Sequence, residues 1–154
     1  MWQRKQTIFL AVTSVCMALM IFFPIWVASD TNVKMMLYPL HYTVRSDGVE
    51  NTVYYPYSAC AILAVASLTL AIIEIGKFED RMLQLKLGAL NSLLMMGALG
   101  SAVYFAIQLI KANQLAGEYD IALYLPAVAM VSNMIANRFI RKDEKLVRDA
   151  DRLR

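Results

Sequence analysis

Asn137-Arg138-Phe139-Ile140-Arg141-Lys142-Asp143-Glu144-Lys145-Leu146-Val147-Arg148-Asp149-Ala150-Asp151-Arg152-Leu153-Arg154 closes a chain that is otherwise mostly apolar. It carries seven of the fifteen Lys and Arg residues. Set on a helix at about 100° per residue, Arg138, Arg141, Lys142, Lys145, Arg148 and Arg152 share one arc. Phe139, Ile140, Leu146, Val147, Ala150 and Leu153 share the next. Glu144 precedes Arg148 by four residues and Asp149 precedes Arg152 by three, both favourable pairings. The stretch therefore predicts a helix that continues the last apolar segment. It is either a solvated extension or an amphipathic helix whose basic arc meets anionic lipid or a partner protein. The interspersed acids weaken the lipid version. Lys and Arg stay on the cytoplasmic side of a membrane, so this tail orients every apolar segment before it.

Those segments dominate the composition. Of 154 residues, 59% are hydrophobic and 18% charged, with a mean hydropathy of +0.50. Soluble domains carry about a quarter charged residues. Four spans are predicted, at about residues 7–28, 57–75, 87–110 and 121–137. The first holds no charge in 22 residues, enough at about 1.5 Å per residue to cross a hydrocarbon core of about 30 Å. A signal peptide ending at Val27-Ala28-Ser29 is the rival reading, but the run exceeds an h-region of about 7–15 residues. Pro24 is expected to kink this helix. The second span is studded with small residues, and Glu74 at its end reads as interfacial, near Lys77. The third carries Gly97-x-x-x-Ser101 and Ala98-x-x-x-Ala102, a pattern of close helix packing. The fourth contains Pro126.

Asn91, Ser92, Tyr104 and Gln108 are the polar members of the third span, expected to meet other helices rather than lipid; Asn133 and Asn137, expected to do the same, lie on one face of the fourth, four residues apart. Residues 29–56 form a polar loop with Asp47-Gly48 between β-prone stretches, a hairpin signal. A two-residue turn pairs Ser46 with Val49, Arg45 with Glu50, Val44 with Asn51, Thr43 with Thr52, Tyr42 with Val53, His41 with Tyr54 and Leu40 with Tyr55. Leu40, Tyr42, Val44, Val53 and Tyr55 then share one face with Asn51, expected to rest on the helix ends.

With both termini inside, twelve of the fifteen Lys and Arg fall on the inner side and only Lys34, Arg45 and Lys111 outside. Trp26, Tyr54, Tyr55, Tyr57, Tyr119 and Tyr124 gather at the outer boundary, as an interfacial belt does. The expected fold is an all-α membrane protein: a left-handed antiparallel four-helix transmembrane bundle, a small extracytoplasmic β-hairpin and a cytoplasmic helical tail, residues 138–154.

The tail from Ala136 to Arg148, ending Ala150-Asp151-Arg152-Leu153-Arg154, resembles the C-terminal signature of an uncharacterised bacterial family of four-span integral membrane proteins, domain of unknown function 4293. The opening Met1-Trp2-Gln3-Arg4-Lys5-Gln6-Thr7 is similar to that family's start, with Lys5 a departure where an apolar residue is expected. Leu83-Gln84-Leu85-Lys86-Leu87-Gly88-Ala89-Leu90-Asn91 is similar to the start of its third span. The resemblance covers the whole length. It implies an integral inner-membrane protein and supplies no activity, ligand or catalytic residue.

The residues themselves carry no reactive constellation. There is no Gly-x-Ser-x-Gly, phosphate-cradling Gly loop, His-Glu-x-x-His or Cys-x-x-Cys. Cys16 and Cys60 read as buried apolar residues, the ten methionines as packing, and lone His41 as a strand residue. No cofactor, metal or nucleic-acid partner is expected. Two functions remain: a non-enzymatic accessory or scaffold component of an envelope complex, or a small transporter or lipid-handling protein with Asn91, Gln108, Asn133 and Asn137 lining a cavity. In the first, the expected partners are the lipid bilayer and a membrane protein. A dry interior favours the scaffold, and polar side chains converging on a path favour transport.

Overall fold

Pro24 divides the first apolar run into a helix and a strand. The computed structural model describes residues 5–30, 33–46, 48–78, 80–115 and 117–152, with side chains as far as Asp149. Helix α1 spans Lys5–Phe22 and strand β1 Trp26–Ser29. The predicted helix over 7–28 thus ends six residues early. A proline disfavours helix for the residue before it. Beyond it, Ile25 N–H donates to the Leu37 carbonyl at 2.7 Å instead of to its own helix. Strands β2 (Val33–Leu37), β3 (Tyr42–Ser46) and β4 (Val49–Val53) follow, then helices α2 (Ser58–Gly76) and α3 (Arg81–Asn113), strand β5 (Glu118–Tyr119) and helix α4 (Ile121–Arg152).

The expected hairpin is present, and its register is the expected one from Ser46–Val49 through Arg45–Glu50 to Tyr42–Val53. Gly48 takes a positive φ of 81°, as such a turn requires; Asp47 lies outside the described residues. The ladder stops at Tyr42–Val53. His41 and Tyr54 extend it only as a ring contact, 5.6 Å between centroids, and Leu40 and Tyr55 lie beyond the strands. The hairpin is one edge of something larger, so the expectation of helices plus a lone hairpin is corrected. The sheet has five antiparallel strands in the order β4-β3-β2-β1-β5. Strand β3, one in from the edge, buries Tyr42 and Thr43, while edge strand β4 is exposed at every residue. The apolar face expected to rest on the helices does so only in β3; Val53 and Tyr55 stand clear.

Each helix packs against two neighbours in a closed ring, α1 on α2, α2 on α3, α3 on α4 and α4 on α1. All four are long and apolar enough to cross a membrane. Asp80 caps α3, its Oδ1 accepting from Leu83 N–H at 2.9 Å, which lets a short turn join α2 to α3. Helix α4 runs 32 residues, about 48 Å, so its last turns project beyond a 30 Å hydrocarbon layer. The tail continues the helix past Asn137, as expected. Phe9 stacks on Phe139 at 5.7 Å, and Arg81 donates to the Asp143 carbonyl at 3.4 Å.

The sheet closes the end of the bundle opposite the α2–α3 turn. Ile25, Trp26, Leu37 and Tyr42 join Met17, Met20, Met95, Ala98 and Ala102 in one core. Tyr57 ties sheet to helices, its ring 5.6 Å from Tyr42 and 5.3 Å from Phe105. Trp26 is fully buried, which corrects its place in an aromatic belt. Tyr54, Tyr55, Tyr119 and Tyr124 remain exposed at that end. Outward from the core the helices are apolar again: Ile8, Val12, Val15 and Leu19 form an exposed stripe on α1.

Candidate functional site

The buried stripe of α3 reads Gln84, Gly88, Asn91, Met95, Ala98, Ala102, Ala106, Leu109. Its spacing of three and four residues is that of a helix facing its neighbours along one seam. The chemistry changes along it, with polar residues near the tail end and alanines toward the sheet. The other helices match. Buried Gln6 opens α1, Ser67 and Glu74 lie on the inner face of α2, and Asn133 on that of α4.

Hydrogen bonds fix how these levels align. On α2 and α3, Ser67 Oγ donates to Asn91 Oδ1 at 2.5 Å. Two turns nearer the tail end, Gln84 Nε2 donates to the Glu74 carbonyl at 2.8 Å. On α3 and α4, Asn133 Nδ2 donates to the Gly88 carbonyl at 2.8 Å and to Ser92 Oγ at 2.9 Å. One turn on, Asn137 lies against Gly88 so closely that a Cβ there would strike its amide. On α4 and α1, Ser132 Oγ donates to the Phe9 carbonyl at 2.8 Å, which places Gln6 level with Ala136 and Asn137. The buried polar groups therefore form two levels about two turns apart: Ser67, Asn91 and Asn133 at one, and Glu74 and Gln84 nearer the tail end, with Gln6 and Asn137 within about a turn of the second.

Several of their atoms have no partner among the described residues. They are Gln6 Oε1, both carboxylate oxygens of Glu74, Gln84 Oε1, Asn91 Nδ2, Asn133 Oδ1 and Asn137 Oδ1, all buried. At about 1–3 kcal/mol for each unsatisfied group, leaving them bare would cost as much as the roughly 5–15 kcal/mol that holds a domain together. Six of the seven are acceptors, so what they lack is a source of positive charge or of hydrogen-bond donors. Glu74 is fully buried, which corrects its expected interfacial place. It lies in the last turn of α2 on the residue spacing that also buries Ser67 and Ala71, and that spacing is the signal the sequence offers.

Of the four amides expected between helices, Asn91 and Asn133 bond across them, and Asn137 packs on Gly88. Gln108 is exposed near the sheet end and joins none of the others. The small-residue motif of α3 is likewise half right: Ala98 and Ala102 are fully buried, while Gly97 is exposed with ordinary room for a methyl, 3.5 Å from Leu63 Cδ1. Ser101 Oγ lies 3.2 Å from Cys60 Sγ. On the tail, Arg138, Arg141, Lys142, Lys145 and Arg148 are exposed, as are Leu146 and Val147; for Arg152 only the helical backbone is described. Among the described residues no three His, Cys, Asp or Glu side chains cluster as metal ligands. An apolar groove of about 430 Å³ runs between α1 and α4 past Phe9, Val12, Val128 and Val131.

A ring of four span-length helices capped at one end by a small sheet, with a charged helical tail at the other, defines the class. The family model described as Domain of unknown function (DUF4293) matches residues 2–153, and the chain belongs to that family. No curated protein matches it.

Proposed function

We propose that the protein is a multi-pass inner-membrane protein of bacteria with both termini in the cytoplasm. It acts without catalysis, as an accessory or scaffold component of an envelope complex. The orientation rests on charge. Among the described residues, Lys5, Lys77, Arg81, Lys86 and the tail's basic residues lie at one end of the bundle, and Lys34, Arg45 and Lys111 at the other. The positive-rich end belongs in the cytoplasm, and the exposed apolar stripes of the helices belong in lipid. Asn51→Cys on β4 is expected to react with an impermeant maleimide on intact cells, and Lys145→Cys only after lysis. The reverse pattern would overturn the topology.

The observation that carries the scaffold role is β4. It is exposed along its whole length at a sheet edge and has no Lys, Pro or bulge to block further pairing. Such an edge accepts an added strand from a partner. The exposed basic arc of the tail offers a second contact on the other side of the membrane. The interior is not dry, since Glu74, Gln84, Asn91 and Asn133 are buried in it, which favours the transport alternative, although Gln108 stands apart from them. Purification in mild detergent followed by mass spectrometry is expected to recover a stoichiometric partner. Charge reversal at Arg141, Lys142 and Lys145 is expected to reduce that recovery severalfold. A chain that purifies alone, with and without the reversal, would remove the scaffold reading.

A further inference from the structure

We propose that the buried oxygens at the tail end of the bundle bind one monovalent alkali cation, with Glu74 as its single charged ligand. The donor set is entirely oxygen: the carboxylate of Glu74 on α2 with Gln6 Oε1 on α1, Gln84 Oε1 on α3 and Asn137 Oδ1 on α4, every one buried and without a protein partner among the described residues. Hard oxygen donors select hard cations. The soft sulfurs of Cys16, Met17, Met20 and Met95 are buried nearer the sheet, away from this layer.

Charge selects among the hard cations. A carboxylate among apolar helices has to be neutralised, and no Lys, Arg or His pairs with Glu74 among the described residues. One monovalent ion leaves the layer neutral, whereas a divalent ion leaves a net charge in a medium of low dielectric. A proton on Glu74, with buried water serving the other acceptors, neutralises it too, and the salt and pH arms of the test below separate the two. A cation meets several acceptors at once. The alignment of levels supports this geometry, since Glu74 sits opposite Gln84, and Gln6 and Asn137 lie about one turn away. The ion thereby fastens all four helices at the end where α2 and α3 are joined by a short turn. This site stands whether or not the protein is a scaffold.

The test uses the full chain purified in mild detergent. Thermal unfolding is followed in lithium, sodium, potassium and choline chloride at constant ionic strength and pH. The midpoint is expected to rise with sodium or potassium concentration and not with choline, since binding to the folded state alone stabilises it by mass action. Glu74→Gln, a neutral isostere, is expected to abolish the cation dependence. Gln84→Leu is expected to raise the half-saturating concentration about tenfold or more. Equilibrium dialysis of the unmodified chain with radioactive sodium, at one ion per chain, supports the site even if a variant fails to fold. A midpoint identical in all four salts would overturn the proposal. So would a midpoint that follows pH and ignores the cation, which would make Glu74 a proton site only.

Discussion

Gly88→Leu is expected to lower the stability of the bundle by about 3 kcal/mol, at the upper end of what overpacking a filled interior costs. Gly88 is buried on α3 against Asn137 of α4, and its carbonyl accepts from both Asn133 Nδ2 and Ser92 Oγ. Even one added carbon would collide with the Asn137 amide, so the helices must separate and stretch those hydrogen bonds. Gly97→Ala is the contrast, since its methyl meets Leu63 at an ordinary distance and should change stability by no more than about 0.5 kcal/mol. The collision has one identified partner, so a cycle with Asn137→Ala isolates it. Gly88→Ala is expected to destabilise the native chain, and to do so much less when Asn137 is also alanine. Detergent unfolding midpoints of the four proteins check this. Equal effects of Gly88→Leu and Gly97→Leu would show that α3 and α4 do not meet at Gly88.

Gly88 also shows where reading a membrane sequence succeeds and where it stops. The helices were legible because length and apolar content alone identify a span, and the tail helix because two arcs separate at helical spacing. Which face of a span turns inward was harder to read. In lipid both faces are apolar, so the sheet half of α3 gives no contrast of polarity to mark its seam. Gly97-x-x-x-Ser101 and the stripe through Gln84, Gly88, Asn91 and Ala98 are offset around the helix by less than a turn. The polar residues at 84 and 91 decide between them. The same difficulty hid Glu74: proximity to Lys77 in sequence suggested an interface, but its spacing from Ser67 and Ala71 points it into the ring.

The sheet was partly legible for a different reason. Asp47-Gly48 and alternating residues around it specify β3 and β4 locally, and opposite charges at Arg45 and Glu50 fix their register. Strand β2, Val33–Leu37, is rich in methionine and has Val33 as its one β-branched residue, so little in it announces a strand. Strand β5 has two residues and exists only because Trp26 and Val27 lie beside it. Strand β1 was absorbed into the first span, since a short apolar run is equally a helix end or a buried strand by periodicity. Pro24 was the one mark between them, and it ends the helix instead of kinking it.

Trp26→Ala is expected to cost about 3–5 kcal/mol, the range for truncating a large buried aromatic, and to act on one end of the molecule. Trp26 opens β1, pairs with Leu37 on one side and Tyr119 on the other, and is completely buried in the core shared by sheet and helices. Its indole Nε1 has no hydrogen-bond partner among the described residues, so what the ring contributes is contact area. Removing it leaves a cavity where β1, β5 and the sheet-end turns of α1 and α3 converge, while the polar layer at the other end keeps its hydrogen bonds. Far-ultraviolet circular dichroism is therefore expected to retain most of the helical signal at low temperature. Limited proteolysis should cut more readily between residues 30 and 56. Trp26→Phe, which keeps an aromatic ring at the site, is expected to lose less than half as much. If Trp26→Ala unfolds at the native midpoint and resists protease equally, the sheet is held by its backbone connections alone and the indole is not its anchor.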